Sequence, residues 1–167
     1  MDRLIIIDGN SLVNRAFYAL PPMLNDGKPT QAVYGFANML IKMIQDYSPK
    51  YMAVAFDLPA PTFRHKRYEG YKATRKGMPP DLAAQMPTLK TMLSRMGIKM
   101  IEKEGYEADD LIGTLARKSK VETYIVTGDR DSLQLIDDTT KVVLTKRGIT
   151  ETLELDEQGL KKEFGLT

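Results

Sequence analysis

Short apolar runs alternate with stretches of helical period along the whole chain. Such runs are typical of strands buried on both faces of a parallel sheet, and they cover residues 4–7, 51–56, 98–101, 123–126 and 141–145. Between them, apolar side chains recur every three or four positions, which indicates helices. We predict these helices over residues 12–20, 31–47, 81–96, 133–136 and 156–164, with a further helix opening near residue 107. The alternation predicts a three-layer α/β/α fold around a mostly parallel, twisted sheet.

Turn residues mark the ends of several predicted elements. Residues 25–30 contain Gly27 and should form a loop. Asp81 is suited to cap the helix over 81–96, and Gly97 is suited to end it. We find neither an internal repeat nor a domain boundary. The 167 residues suffice for one ordinary domain with a sizeable core.

Composition narrows the class of protein more than it identifies a partner. The chain is 43% hydrophobic, as a globular protein is, and its net charge is only +2. It has no cysteine, which excludes disulfides and thiolate metal sites. The apolar run at the N-terminus is too short for a signal peptide, and no stretch approaches the roughly 18 apolar residues of a membrane span. We therefore expect a cytoplasmic protein.

Acidic side chains follow the predicted strands at the points where these strands end. In open parallel sheets the functional site lies outside the carboxyl ends of the strands. Four aspartates follow strands directly, and three further acids open the helix near residue 107, on the same edge. The seven are Asp8, Asp57, Glu107, Asp109, Asp110, Asp129 and Asp131. The sequence therefore predicts seven carboxylates converging without a histidine or cysteine among them.

Such a cluster has a simple structural interpretation and a chemical one. Acids favour the positive N-terminus of a helix by up to about 1 kcal/mol each, which accounts for one or two of the acids at 107–110 but less well for three. Hard cations such as Mg²⁺ and Mn²⁺ prefer oxygen ligands. Two such ions about 3.5 to 4 Å apart clamp the attacking and leaving oxygens of a phosphoryl displacement. The sequence therefore favours a divalent-metal site of two ions.

A basic segment follows Asp57 directly and spans residues 58–80. Its six cations face a single acid, Glu69, and aromatic residues lie between them. The cations are Arg64, Lys66, Arg67, Lys72, Arg75 and Lys76, and the aromatic residues include Tyr71. Lysine and arginine hold phosphates and aromatic rings stack bases, although a solvated charged loop has the same composition. The segment lacks an apolar stripe, so we expect residues 60–78 to be mobile without nucleic acid.

Other site classes with an aspartate after the first strand fit less well. A haloacid-dehalogenase-type phosphatase needs a second aspartate two residues after its nucleophile, but Asn10 stands there. A Toprim-like site has a glutamate where Asp8 stands, although Asp129 and Asp131 match its Asp-x-Asp pair. A dinucleotide fold requires a glycine-rich turn, and Gly9 alone does not form one. A domain that binds nucleic acid or protein without catalysis remains open.

Six blocks of sequence point to one family. They cover residues 7–11, 55–57, 62–65, 70–75, 106–110 and 127–131. In this order they resemble the 5′-to-3′ exonuclease domain of bacterial DNA polymerase I, a member of the flap endonuclease family with a PIN-like fold. The resemblance extends over essentially the whole chain.

The resemblance implies a role for each candidate residue. In the family, the acids matching Asp8, Asp57, Glu107, Asp109 and Asp110 serve a first metal ion, some of them through water. Those matching Asp129 and Asp131 serve a second. Lys72 and Arg75 match residues that help to position the scissile phosphate, so with Asp8 and Asp57 they are the catalytic candidates. Arg64 belongs with them to a helical arch around the 5′ strand. The DNA-binding candidates are Arg15, Arg64, Lys66, Arg67, Tyr71, Lys72, Arg75 and Lys76.

The resemblance also implies an activity and partners. We expect a metal-dependent 5′-to-3′ exonuclease and 5′-flap endonuclease of DNA replication and repair, acting as a monomer on DNA with 5′ ends or flaps. A polymerase domain would follow on a longer chain. Family members continue into a helix-hairpin-helix-like region that supplies a further acid for the second metal, and this chain ends at Thr167. The alternative expectation is a truncated, catalytically incomplete module that binds metal and nucleic acid.

Overall fold

The computed structural model describes residues 1–58 and 77–165. The strands are β1 (Arg3–Asp8), β2 (Leu24–Asn25), β3 (Lys28–Pro29), β4 (Tyr51–Ala55), β5 (Lys99–Ile101), β6 (Glu122–Thr127), β7 (Thr140–Thr145) and β8 (Thr152–Leu155). The helices are α1 (Gly9–Ala19), α2 (Gln31–Tyr47), α3 (Pro80–Ala83), α4 (Met86–Arg95), α5 (Ala108–Lys118) and α6 (Glu157–Phe164), with a 3-10 helix over Arg130–Leu135.

Six strands form one sheet in the order β5-β4-β1-β6-β7-β8. β1 lies at its centre and pairs in parallel with both neighbours, so that Ile7 is opposite Val54 on one side and Val126 on the other. β4 with β5 and β6 with β7 are also parallel, and only β8 runs antiparallel, to β7. The prediction of a mostly parallel sheet is confirmed.

Two hydrophobic cores lie on opposite faces of this sheet. Ile5 and Ile7 of β1 pack into the core formed with α1, α2, α3 and α4, whereas Leu4 and Ile6 pack into the core formed with α5. Burying a side chain of this size contributes roughly 1.5 to 3 kcal/mol. Because β1 is covered on both faces, its sequence is a continuous apolar run. The three-layer α/β/α arrangement is therefore confirmed.

The chain reverses its direction of travel across the sheet at β1. It first builds β4 and β5 on one side of β1, and then returns to build β6 and β7 on the other. α1, which follows β1, packs in one core, while the 3-10 helix after β6 packs through Leu133 in the other. Where helices leave adjacent strand ends toward opposite faces, a crevice opens at the carboxyl edge of the sheet. This crevice is where the site should lie.

The single helix predicted over residues 81–96 is wrong, because the structure has two helices there, α3 and α4. Pro87 stands in the first turn of α4, where a backbone N–H has no partner within the helix and its absence costs nothing. Inside a continuous helix, Pro87 would remove a hydrogen bond and clash with the preceding turn. The predicted cap at Asp81 is also wrong: Pro79 precedes α3, and Asp81 lies in its first turn.

Gln85, in the break between α3 and α4, caps a different helix. Its side-chain oxygen accepts hydrogen bonds from the backbone N–H groups of Ala32 (2.8 Å) and Val33 (3.3 Å) at the start of α2. Its amide nitrogen donates to the backbone oxygen of Asp81 at 3.1 Å. Thr30, the residue preceding α2, makes no side-chain cap of its own. Gln85 therefore supplies from a distant segment what the local sequence lacks.

We expect Gln85→Ala to lower the free energy of unfolding by about 1 to 3 kcal/mol, because it leaves buried N–H groups of α2 without a partner. Chemical denaturation followed by circular dichroism measures this loss. Gln45→Ala is the matched control, since Gln45 is exposed on the same helix, and it should change stability by less than about 0.5 kcal/mol. Equal effects of the two substitutions would contradict the capping role.

Smaller differences concern the ends of elements. α1 begins at Gly9, immediately after β1, instead of at residue 12. The helix predicted over 133–136 is the 3-10 helix and begins earlier, at Arg130. The predicted loop over 25–30 contains the tight β2–β3 hairpin, whose turn residues Asp26 and Gly27 both have positive φ, 53° and 76°. Within the described parts of the chain, no helix is long and apolar enough to cross a membrane.

Candidate functional site

Asp8 is buried at the point where β1 becomes α1. Its residue exposure is only 5%. One carboxylate oxygen accepts the N–H of Ser11 at 3.3 Å, which caps α1, and the other accepts the hydroxyl of Thr127 at 2.8 Å. The strand end fixes the backbone of Asp8, and these two bonds fix its side chain. Asp8 is therefore held in place at the centre of the carboxyl edge.

Asp57 follows β4 and connects to the start of α5. Its carboxylate accepts the N–H of Ala108, the first residue of α5, at 2.6 Å. Its own N–H donates to the side-chain oxygen of Asn10 at 2.9 Å. The end of β4 is thereby tied both to the beginning of α1 and to the beginning of α5, so Asp57 spans the crevice between them.

The three acids at the start of α5 separate into two groups. Glu107 precedes the helix and forms a reciprocal capping box with Asp110, in which the N–H of Glu107 donates to the Asp110 carboxylate at 3.0 Å. Glu107 and Asp110 thus cap the helix, and this role accounts for their position without a metal ion. Asp109 lies outside the capping box and faces the crevice.

Asp129 follows β6 and precedes the 3-10 helix. Its carboxylate accepts the N–H of Asp131 at 2.9 Å, so it caps this helix in the way that Asp8 caps α1. The N–H of Asp129 donates to the hydroxyl of Thr127 at 3.0 Å, and this hydroxyl in turn donates to Asp8. Thr127 therefore sets the relative position of the two strand-end aspartates.

These residues surround an open cleft of about 980 Å³ at the carboxyl edge of the sheet. Six of the seven predicted acids line it, namely Asp8, Asp57, Glu107, Asp109, Asp129 and Asp131. Asp110 does not belong to the lining. The cleft also has a basic border formed by Arg15, Lys146 and Arg147. The structure thus brings together the acids that the sequence placed at separate strand ends.

Burial, with a smaller contribution from neighbouring negative charges, raises the pKa of two of these side chains. Burial raises the pKa of Asp8 to about 6; the hydrogen bonds from Thr127 and Ser11 oppose this rise, and the charges of Asp57 and Asp129 add to it. Partial desolvation, followed by the charges of Asp8 and Asp129, likewise raises the pKa of Asp109 to about 6. The lining also holds six acids against three cations, so its negative charge exceeds what these cations neutralise.

The donor set fits a hard divalent cation in its chemistry. All the acidic donors are carboxylate oxygens, which Mg²⁺ and Mn²⁺ prefer, and a cation would stabilise the charged forms of Asp8 and Asp109, which burial and then the neighbouring acids disfavour. Within residues 1–58 and 77–165, however, no three histidine, cysteine or acidic side chains are gathered closely enough to form a finished metal cage. Several of the carboxylates are instead engaged by backbone N–H groups.

Most of the predicted DNA-binding residues lie outside the described residues. These are Arg64, Lys66, Arg67, Tyr71, Lys72, Arg75 and Lys76. Most of the segment 60–78, which we expect to be mobile without nucleic acid, also lies outside the described residues. Arg15 is described, and its guanidinium donates to the backbone oxygens of Lys146 and, at 3.4 Å, Thr145. It therefore holds the β7–β8 hairpin against α1.

Sequence reasoning missed several residues that line the cleft or hold its acids in place. Asn10, Ser11 and Thr127 lie inside the blocks used for the resemblance, so their position next to aspartates was a usable signal. Lys146 and Arg147 gave no such signal, because two adjacent cations at a turn are common on any surface. Only the antiparallel pairing of β7 with β8 brings them to the cleft.

Comparison with known proteins places the whole chain in one family. The family model of the 5′-3′ exonuclease, N-terminal resolvase-like domain, matches residues 3–165. DNA polymerase I of Bacillus subtilis is 46% identical over 169 residues, which cover 99% of this chain and 19% of that protein. DNA polymerase I of Mycobacterium tuberculosis is 43% identical over 170 residues, which cover 98% of this chain and 19% of that protein. The chain thus spans about a fifth of the length of these relatives.

Solved structures share the fold. T5 5′-exonuclease with bound zinc ions superimposes with a TM-score of 0.70 at 19% identity, covering 98% of this chain and 61% of that one. The catalytic core of Rad2 in complex with DNA substrate superimposes with a TM-score of 0.60 at 17% identity. The match covers 99% of this chain and 50% of that one. At these identities the similarity shows the fold alone, whereas the family model matches nearly every residue. The chain belongs to the 5′-3′ exonuclease family and comprises its N-terminal resolvase-like domain.

Proposed function

We propose that this chain is the nuclease part of a 5′-to-3′ exonuclease and 5′-flap endonuclease that hydrolyses DNA phosphodiesters with two divalent metal ions. The observation that carries the proposal is the single cleft lined by six acids at the carboxyl edge of the sheet. An acidic cleft of this kind repels DNA unless cations intervene, which a metal-dependent phosphoryl transfer supplies. The family match supports nuclease activity.

The acids divide between two ion positions in this proposal. Asp8, Asp57, Glu107 and Asp109 would hold the first ion, with Asp110 acting through water. Asp129 and Asp131 would hold the second. The bound ions would supply an activated water and stabilise the leaving oxygen. The chain itself orients the carboxylates: Thr127 joins Asp8 to Asp129, and the bond to Ala108 holds Asp57.

Basic side chains would bind the substrate in this proposal. We place Lys72 and Arg75 at the scissile phosphate, and the remaining basic segment with Tyr71 along the 5′ strand. Support comes from the relatives. One T5 flap endonuclease structure is a complex with DNA and metal ions, superimposing at a TM-score of 0.68 and 16% identity. The curated relatives are whole DNA polymerases I, so we propose that a polymerase domain accompanies this one in a longer chain.

The test is cleavage of an end-labelled 5′-flap DNA in Mg²⁺, Mn²⁺ or EDTA. We expect cleavage with either metal and none in EDTA. Asp129→Asn should lower the rate at least about 100-fold, because even a partner of a metal ligand typically contributes 10- to 100-fold. Asp138→Asn is the matched control, an exposed aspartate beyond the 3-10 helix, and should cleave as the parent does.

Two outcomes decide between catalysis and binding alone. DNA binding with no cleavage in either metal would favour the non-catalytic module. Cleavage that persists in EDTA, or that survives Asp129→Asn, would contradict the metal-dependent mechanism.

A further inference from the structure

A second cavity lies on the other side of the cleft's basic border. Its volume is about 570 Å³, and it lies beneath the β7–β8 hairpin. Four residues line both cavities, namely Arg15, Gly128, Lys146 and Arg147. We call the second cavity the hairpin pocket. Because the two cavities share the wall formed by these residues, they are adjacent, and an extended ligand lying in the acidic cleft would reach the hairpin pocket by crossing over them.

The hairpin pocket has the opposite charge to the cleft. Four cations line it, Arg15, Arg130, Lys146 and Arg147, against two carboxylates, Glu151 and Glu163. None of these cations forms a salt bridge with any other residue that the structure describes. Arg130 lies over the ring of Phe164, with 5.7 Å from its guanidinium carbon to the ring centre. This contact orients the guanidinium without neutralising its charge.

The hairpin that carries two of these cations is held firmly. The guanidinium of Arg15 donates to two successive backbone oxygens, those of Thr145 and Lys146. Across the hairpin, the N–H of Lys146 donates to the oxygen of Glu151 at 2.9 Å. Arg15 is therefore a positioning residue for the side chains of Lys146 and Arg147, which project from a fixed backbone next to the cleft.

The lining of the hairpin pocket, beside the shared wall, contains an unsatisfied polar group. The hydroxyl of Thr145 is buried and has no hydrogen-bond partner in the described part of the chain. It lies 2.9 Å from the point where a Cβ on Gly128 would stand, and the hydroxyl of Ser11 lies 3.0 Å from the same point. Leaving such a group unpaired costs about 1 to 3 kcal/mol. The hairpin pocket therefore has a polar group without a partner close to its cations.

We infer that the hairpin pocket binds an internal backbone phosphate of the DNA strand that lies in the acidic cleft. The inference rests on the proposed function and deepens it. A phosphodiester suits unpaired arginine and lysine side chains, whereas a metal ion suits the acids next door. The DNA strand would thus have one phosphate bound by metal ions in the acidic cleft and another bound by lysine and arginine in the hairpin pocket, on the other side of the shared wall. Binding at the hairpin pocket would contribute affinity and register, and no chemical step.

The test compares steady-state cleavage of the 5′-flap DNA by Lys146→Ala, Arg147→Ala and Arg130→Ala variants of the full chain. Each should raise KM about 3- to 10-fold with little change in kcat, because a phosphate contact far from the cut is made equally in ground and transition states. Each should also reduce the slope of log affinity against log salt concentration by about one. Lys99→Ala is the matched control, since Lys99 begins β5 at the opposite edge of the sheet, and should leave KM unchanged.

A substitution of opposite sign sharpens the test. Glu163→Gln removes a negative charge from the hairpin pocket and should lower KM. Unchanged KM and salt slope in all three cation variants would overturn the inference. So would an effect seen only on substrates with a 5′-terminal phosphate, because the pocket would then hold that terminal group and not an internal one.

Binding measurements separate this inference from the proposed function. Fluorescence anisotropy with labelled flap DNA in EDTA reports affinity without cleavage. If the parent binds DNA but never cleaves it, the proposed function fails. A weaker affinity of the cation variants in that same assay would still support the hairpin pocket, and an unchanged affinity would overturn it. Thermal melting checks that each variant is folded.

Discussion

Replacing Asp8 with asparagine should abolish DNA cleavage and, at the same time, make the metal-free protein more stable at neutral pH. Asparagine keeps the shape of the side chain and removes its negative charge. Its amide oxygen can still accept the N–H of Ser11, whereas its NH2 group donates, as the O–H of a protonated aspartic acid would, so the Thr127 hydroxyl must turn to accept from it. We expect the cleavage rate to fall by at least about 100-fold, since a carboxylate proposed to bind metal contributes more than a partner of such a ligand does. The loss of activity and the gain of stability share one cause, which is a buried charge held without a cation.

The direction of the stability change follows from the raised pKa. In the unfolded chain the pKa of Asp8 has its ordinary value of 3.8, whereas in the folded protein burial raises this pKa to about 6. Between these values the folded state binds more protons than the unfolded state, so stability falls as pH rises from about 4 to about 6. Above pH 6 the whole penalty is present. We therefore expect Asp8→Asn to raise the free energy of unfolding at pH 7.5 by about 1 to 3 kcal/mol, and to leave it nearly unchanged at pH 4.

Denaturant unfolding in EDTA at several pH values measures this effect, with Asp138→Asn as the control for an exposed aspartate. Adding Mn²⁺ should reverse the ranking, because a cation stabilises the parent more than the variant. A variant that is less stable than the parent at pH 7.5 in EDTA would show that the carboxylate is satisfied without metal. The electrostatic account of the cleft would then be wrong.

Gly9→Ala should damage both the stability of the protein and its site. Gly9 is the first residue of α1, and a Cβ there would lie 2.6 Å from the ring of Phe56 and 2.8 Å from the backbone oxygen of Ala55. Phe56 is 1% exposed, so the ring cannot move aside without disturbing the core. Overpacking of this kind typically costs about 1 to 3 kcal/mol. Because Asp8 and Asp57 adjoin the two colliding residues, the cleft would widen and cleavage would fall more than stability alone explains.

Gly113→Ala offers a matched comparison inside the same molecule. Gly113 lies within α5, and a Cβ there would meet only the side chain of Leu135 at an ordinary 3.5 Å. The alanine should therefore stabilise the protein by about 0.5 to 1 kcal/mol through its helix propensity. Thermal unfolding and the flap-cleavage assay on both variants measure the difference. If Gly9→Ala behaves like Gly113→Ala, the close approach of α1 to β4 is not required.

The layered fold could be predicted because the strands are recognisable from their own residues. β1 is apolar on both faces, and an aspartate stands at or just beyond the ends of β1, β4 and β6, so a parallel sheet alone brings Asp8, Asp57 and Asp129 to one edge. The break between α3 and α4 could also have been read from Pro87. The apolar side chains keep their helical spacing across the proline, so their periodicity alone predicts one continuous helix.

Other features depend on contacts that a local pattern does not record. Gln85 caps α2 from more than fifty positions away along the chain, and no residue near α2 indicates this. Thr127 is polar at the end of an apolar strand, a position where threonine is common, and only the pairing of β1 with β6 gives it Asp8 as a neighbour. Lys146 and Arg147 acquire a role only through the antiparallel return of β8.

The hydrogen bond from Ala108 to Asp57 bears on ion selectivity. One oxygen of Asp57 is already engaged by the first N–H of α5, and Asp129 is engaged in the same way by Asp131. A carboxylate in this state most readily offers a single oxygen to an ion. Small octahedral cations such as Mg²⁺ accept single oxygens and complete their shell with water, whereas Ca²⁺ takes six to eight oxygens and often binds carboxylates through both. We therefore expect the hydrogen bonds from the backbone at these helix starts to favour binding of Mg²⁺ over Ca²⁺.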